Sequence, residues 1–342
     1  MSTTVPSSPK TIEWYRTPLA KADFRGLHER SDFLGWCQTL GYLGVLALTG
    51  SAAWYSAGRF AWYVTLALVF LHGTVFAFQI NAVHELGHGT VFKTKALNAF
   101  FERVFAFLGW INYEYFDVSH ARHHRYTLHA PDDLEVVLPL KVMVRDFFRD
   151  GFLNPRGLWF AIKDNLRRAR GKFDGAWDTA LFPPNSRERQ APIRWARTVL
   201  IGQGLVVVVS ILMHWWMLPV LTTLAPFYGG WLFFLCNNTQ HIGLQDDVPD
   251  FRFCCRTFTL NPLVQFLYWH MNFHTEHHMY AAVPCYRLAR LHRLIKHDLP
   301  PCPHGLVATW REIAAIQAIQ KTNPEYQHVA ALPQKTEAVV VS

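Results

Sequence analysis

The sequence predicts an all-α integral membrane protein: four transmembrane helices in two hairpins, with a helical cytoplasmic cap that holds a metal site. Three observations predict it. Of 342 residues, 51% are hydrophobic and 15% aromatic while only 17% are charged, a balance unlike that of a soluble two-domain chain. Several long stretches contain no Asp, Glu, Lys or Arg. Three clusters of histidine, finally, fall where those stretches bring them to one face of a bilayer.

Taken in order, Phe33 to Gly58 is charge-free, and after a lone Arg59 so is Phe60 to Val83. Each exceeds the ~20 residues needed to cross hydrocarbon, which gives spans at about 33–55 and 60–83. Next, Leu97, Phe100, Phe101, Val104, Phe105, Leu108 and Ile111 recur at three- and four-residue spacing. That is the pattern of a helix lying on the bilayer or packed under the cap. A third charge-free stretch, Thr198 to Gln245, has 48 residues, enough for spans at about 198–217 and 220–241 that turn near Pro219. Thr257 to Phe273 is also uncharged but is interrupted by Asn261, Pro262, Gln265, His270 and Asn272, so it is read as interfacial or re-entrant. Trp54, Tyr55, Trp62 and Tyr63 flank the first hairpin turn and Trp215 and Trp216 the second, where an aromatic belt belongs. Residues 1–32 then form an N-terminal cytoplasmic segment, 33–329 one domain and 330–342 a disordered tail, with fraying also expected over 1 to about 12.

Charge sets the expected orientation. Of 33 Lys and Arg, five precede the first span, 18 lie between Asn81 and Arg197, nine follow Gln245, and the first hairpin turn holds only Arg59. Positive residues gather on the cytoplasmic side, so both termini and the histidine clusters are expected there. The net charge of +8 suits anionic headgroups and makes membrane lipids the expected partner. Nucleic acid is excluded as a partner class, because no basic run interleaves with a stacking motif. Six cysteines without a C-x-x-C pair point to reduced thiols. The first apolar run starts too late and is too long for a cleaved signal peptide.

The histidines carry the chemistry. They are His84 and His88 in H-E-L-G-H, His120, His123 and His124 in H-A-R-H-H, and His274, His277 and His278 in H-T-E-H-H. On a helix, positions i, i+3 and i+4 share a face, so each triplet can aim three imidazoles at one point. With 18 histidines in the chain, an H-x-x-x-H pair arises about once by chance, whereas two H-x-x-H-H triplets arise in about one chain in a thousand. Eight clustered ligands exceed what one metal takes, which implies two metals. Asn237 and His241, four residues apart at the end of the fourth span, are candidates for further ligands on one helical face.

In these motifs the chain resembles the membrane fatty acid desaturase and hydroxylase superfamily. Over roughly residues 33 to 300 it has the three boxes H-x-x-x-H, H-x-x-H-H and H-x-x-H-H in the expected order, with two membrane hairpins between them. The run Asn272 to Leu288 looks like the third box of bacterial lipid-type members, and Asp132-Asp133 after the second box is also similar. The resemblance implies a fatty acid desaturase-like domain over 33–329 and a non-haem centre of two Fe ions. It also implies O2 as co-substrate and attack on an unactivated C–H bond, with desaturation of a fatty acyl or lipid chain as the majority expectation. Hydroxylation of a lipid or small molecule, with or without loss of an N-alkyl group, is the alternative. Carried over by position, the ligands would be His84, His88, His120, His123, His124, His274, His277 and His278, with Asn237, acting through water, and His241 as the additional pair. A bacterial inner membrane is implied as the location. An external electron donor of ferredoxin, rubredoxin or cytochrome b5 type with its reductase is implied too, since no cytochrome b5 module is seen in the sequence. Three intervening residues in the first box, instead of the four of acyl-CoA desaturases, speak against an acyl-CoA substrate. Histidine ligands usually give their second N–H to an acceptor, which makes Asp117, Asp132, Asp133 and Glu276 expected partners. His129 and His270 are read as hydrogen-bonding residues beside the boxes.

Two other classes fit parts of the sequence. H-E-L-G-H also matches a zinc metalloprotease motif with Glu85 as general base. A metal carrier is the third class. The protease reading leaves both triplets unexplained.

Overall fold

The computed structural model describes residues 11–334, and its regular secondary structure within them is helical, with isolated β-bridges only. The first long helix, Asp32–Ser56, starts where the Ser31 hydroxyl accepts a hydrogen bond from Leu34 N at 3.3 Å, satisfying a free N–H of the first turn. The Asp32 carboxylate accepts from Thr94 N at 2.8 Å and Thr94 Oγ1 at 2.7 Å, which ties this helix to the loop after the first histidine box. Gly58, at φ 75°, makes the turn in a left-handed conformation that costs glycine little. Trp62–Phe76 then packs back along Asp32–Ser56, and after a short break Gln79–Gly87 carries the chain to His84 and His88.

Three helical stretches among the described residues are long and apolar enough to cross a membrane: Asp32–Ser56, Trp62–Gly87 and Arg187–Leu212. Their outer faces fit a lipid environment. Leu48, Trp62 and Leu212 are 71%, 75% and 72% exposed, an apolar surface that water would penalise and acyl chains would cover.

The fourth expected span, 220–241, is not one helix. It consists of Met217–Leu221, a single 3-10 turn Ala225–Phe227 and the seven-residue Trp231–Asn237. Pro226 lacks a backbone N–H, and Gly229, at φ 68°, leaves the right-handed helical region, so no continuous ladder can run through. Gly229 also lies against the backbone of Phe70 and Thr74, where a Cβ would sit 2.5 Å from Phe70 O. Absence of charge measures apolarity, and helix continuity depends on these two residues instead. The uncharged 257–273 stretch likewise holds only the six-residue helix Pro262–Leu267.

Lys95–Leu108 runs against Gln79–Gly87, and Tyr113–Tyr126 follows it. The expected amphipathic stripe is real in part: Phe101 and Phe105 are buried while Phe100 is exposed. Asn112 caps Tyr113–Tyr126 by accepting from Tyr115 N, and its amide donates to Pro192 O at 2.8 Å. The largest apolar cluster joins Tyr42, Val75, Phe105 and Trp269, with the Tyr42 hydroxyl donating to Val75 O at 2.8 Å. Of the terminal segments expected to fray, residues 1–10 and 335–342 lie outside the described residues. Residues 14–17 are held in place: Tyr15 N donates to Pro249 O at 2.9 Å, and Thr17 O accepts from the Tyr280 hydroxyl at 2.6 Å.

Candidate metal centre

The histidines arrive on separate elements. His84 lies in Gln79–Gly87 and His88 caps its end, one turn apart with ring centroids 4.9 Å from each other. His120, His123 and His124 lie on Tyr113–Tyr126, and His274, His277 and His278 on the short, wholly buried helix His274–Met279. Two groups result. His84, His88, His120, His124 and His277 offer ring nitrogens that all lie within 4.8 Å of one another, and His241, Cys255, His274 and His278 form a second such set. The His123 ring sits 5.3 Å from that of His241 and 5.0 Å from that of His278, which associates it with the second group. The groups adjoin through His124 and His278, stacked at 4.3 Å.

Hydrogen bonds at the outer nitrogens decide what the inner ones present. His84 Nδ1 faces Glu85 Oε1 at 2.9 Å, His120 Nδ1 faces Glu135 Oε1 at 2.9 Å, and His123 Nδ1 faces Asp133 Oδ2 at 2.7 Å. His241 Nδ1 faces the Cys254 carbonyl at 2.7 Å. The Cys254 carbonyl and the Asp133 carboxylate only accept, so His241 and His123 carry a proton on Nδ1 and a neutral ring there presents Nε2 as a bare lone pair; Glu85 and Glu135, when ionised, hold His84 and His120 in the same tautomer. Further ring nitrogens crowd around them. His274 Nε2 lies 3.0 Å from His241 Nε2, and His124 Nε2 lies 2.9 Å from His120 Nε2 and 3.1 Å from His277 Nε2. His88 Nε2 and His278 Nε2 are buried without any hydrogen-bond partner. A neutral imidazole carries one proton on one nitrogen, so His124 Nε2 cannot donate to both of its neighbours, and several ring nitrogens facing one point in a dry site fit a nitrogen-liganded transition metal.

Electrostatics agree with neutral rings. Burial first, and neighbouring histidines second, push His120, His274, His277 and His278 well below the usual histidine range. His123 is the exception: burial lowers it, but the hydrogen bond and charge of Asp133 outweigh burial and leave it raised.

Of the four acids expected to support the histidines, only Asp133 bonds a cluster imidazole. Asp132 pairs with Arg122 at 3.4 Å. Glu276, though inside the third box, points the other way and bonds Thr257 and His292. Asp117 lies with Glu102 beside Gly87, where a Cβ would come within 2.7 Å of Asp117 Oδ1 and 3.1 Å of Glu102 Oε1. Asn237 makes no side-chain hydrogen bond to any cluster histidine among the described residues. Trp231–Asn237 ends at Asn237, so His241 lies beyond the helix and the shared-face argument for the pair does not apply. Sequence reasoning missed Glu135, which lies 15 residues from His120 at no helical spacing. It also missed Glu85 in this role, although its position next to His84 was a usable signal. His129 and His270 make ordinary hydrogen bonds, to the Thr127 carbonyl and to Gln265.

Comparison with known families gives a match over residues 60–310 to the family described as fatty acid desaturase. No curated protein matches the chain.

Proposed function

Because the chain belongs to the fatty acid desaturase family, we propose that it is a membrane-bound non-haem di-iron oxidoreductase that uses O2 to desaturate a fatty acyl or lipid chain. In this reading His84, His88, His120, His124 and His277 hold one iron, and His123, His241, His274 and His278 hold the other. The observation that carries it is the convergence of ring nitrogens from all three boxes and His241 on one buried place, with the outer nitrogens of His84, His120, His123 and His241 held by Glu85, Glu135, Asp133 and the Cys254 carbonyl. Iron with O2 supplies an oxidant able to break an unactivated C–H bond. The chain's own part is to hold the metals, keep water out and orient the substrate. Desaturation converts one O2, two electrons and two protons, with two hydrogens from adjacent carbons, into two waters and a double bond. The electrons come from an external donor of ferredoxin, rubredoxin or cytochrome b5 type.

Glu85 speaks against the zinc-protease reading. It is fully buried, and its Oε1 is engaged by His84 Nδ1 at 2.9 Å with His277 Nδ1 nearby at 3.6 Å, a carboxyl group turned onto a box ring rather than free to activate a water. The test is metal analysis of the purified protein followed by turnover under labelled O2 with a reconstituted reductase. About two irons per chain and a new double bond without label are expected. Label in an alcohol would replace desaturation by hydroxylation, and zinc with peptide cleavage would overturn the reading.

A further inference from the structure

The two histidine groups differ in access. Every member of the second group is buried, whereas His88 and His124 of the first are only partly so. His124 lies at the floor of a cleft of about 580 Å³ that opens to the surface. Its opposite wall is a strap of the N-terminal segment, with Thr11, Ile12, Trp14 and Arg16 facing Arg125 and Tyr126.

The strap is firmly built. Trp14 Nε1 donates to Arg125 O at 2.9 Å and its ring stacks on Phe251 at 4.1 Å. Tyr15 and Thr17 both donate to Asp298, at 2.6 and 2.8 Å, and the Arg252 guanidinium covers the Tyr15 ring at 3.8 Å. Arg16 Nε donates to Met279 O at 2.7 Å, at the end of the third box. The strap therefore bridges the second and third boxes and leaves a chamber between itself and His124.

Charge in the chamber is one-sided. Arg16 spends only Nε on its carbonyl partner, and among the described residues neither Arg16 nor Arg125 has a carboxylate within salt-bridge distance. Arg122, the next arginine along, is already paired with Asp132. No acid lines the cavity. Arg16 and Arg125 are exposed residues on the lining of this open cleft, beside Trp14 and Tyr126, and two guanidiniums without a carboxylate partner suit an anion with planar or tetrahedral oxygens.

We propose that this chamber is the substrate's way in, from the aqueous side, and that Arg16 and Arg125 recognise a carboxylate or phosphate on the molecule to be oxidised. The proposal rests on the di-iron reading for what happens at His124, but the anion site itself stands on the strap and the two arginines. The same chemistry serves a small soluble acid or the head of an acyl chain.

The full-length protein, purified with its iron in neutral detergent, is titrated calorimetrically with butanoate, inorganic phosphate, decanoate and, as an uncharged control, butan-1-ol. Butanoate or phosphate should bind and butan-1-ol should not. The Arg16→Gln/Arg125→Gln double variant should weaken anion binding at least tenfold, and Arg16→Lys/Arg125→Lys should restore most of it. Decanoate at least tenfold tighter than butanoate, with the same arginine dependence, would identify an acyl-chain headgroup; equal affinities would identify a soluble acid. Absence of anion binding in the wild type, or equal affinity in the double glutamine variant, would overturn the proposal. Iron content is measured alongside: a wild type that binds butanoate but holds no iron would sink the di-iron reading and leave the anion site standing.

Discussion

Glu85 shows how much a single side chain can decide in this centre. It lies in the first box yet reaches a ring of the third, with His84 Nδ1 at 2.9 Å and His277 Nδ1 at 3.6 Å. Replacing it by glutamine keeps the shape and an acceptor oxygen for His84 but removes the ionisable carboxyl beside the two rings. Groups of this kind are worth about 10- to 100-fold in metal affinity. We therefore expect Glu85→Gln to bind iron at least tenfold more weakly, read by competition with a chelator, while Glu85→Asp, which keeps the charge, recovers part of it; unchanged affinity in Glu85→Gln would remove its orienting role. His241 and Asn237 separate in the same assay. His241 Nε2 lies 3.0 Å from His274 Nε2, so His241→Ala should lose about half the iron, whereas Asn237, with no bond to the cluster, should retain wild-type content as Asn237→Ala. Iron loss in Asn237→Ala would restore it as a participant through water. The six histidines of the two triplets were legible in the sequence because their spacing is improbable, and His84 and His88 only through their place in the order of the three boxes. Glu135 was not, because a contact made by a loop folding back has no periodic signature.

At the scale of elements, the junction of Gln79–Gly87, Lys95–Leu108 and Tyr113–Tyr126 buries two carboxyls together. Glu102 is raised by burial first and then by the neighbouring Asp117 carboxyl, with which it shares a hydrogen bond; Asp117 is raised by burial too. A folded-state value above the unfolded one means that the native protein binds more protons in the interval between them, so this pair makes stability fall as pH rises. The fall begins where the unfolded carboxyls deprotonate, near 3.8 for Asp117 and 4.5 for Glu102, and continues until the folded pair has ionised. Glu102→Gln cannot ionise and still donates to Asp117. It should raise the thermal midpoint at pH 8 by roughly 2 °C or more and flatten its decline between pH 5 and 8, measured by thermal unfolding in detergent. An identical pH profile for the variant and the wild type would mean that the pair does not titrate in this interval. Gly87 is the sequence trace of this junction: a side chain there would displace Asp117, which explains a glycine between Leu86 and His88 where helix propensity disfavours one. The pattern marked the three helices, but tertiary contacts set what their facing sides share.

For the whole molecule, three continuous spans and one metal centre impose a constraint on topology. If Asp32–Ser56 and Trp62–Gly87, both long and apolar enough, go out and back, the first two boxes share the side of the N-terminal segment, and Arg187–Leu212 would then take the chain across a third time. Yet His241, His274, His277 and His278 belong to the same cluster as His84 and His120. The chain must therefore return between residues 213 and 240, and the broken pieces Met217–Leu221, Ala225–Phe227 and Trp231–Asn237 are what it has to return with. Interrupted backbone is tolerated at membrane depth where protein covers it, and this segment is covered: Gly229 N donates to Phe152 O at 2.9 Å, Asn154 N donates to Phe227 O at 2.8 Å, and Gly73 abuts Tyr228. On the proposed orientation, in which the excess of Lys and Arg marks the cytoplasm, His214 is expected outside and both Gly171 and Asp246 inside. In a Cys37→Ser background, a membrane-impermeant maleimide applied to intact cells should label His214→Cys. It should label Gly171→Cys and Asp246→Cys only after the membrane is opened. Labelling of Asp246→Cys from outside would contradict the return crossing, because the third box would then lie across the bilayer from the first two and no single centre could form.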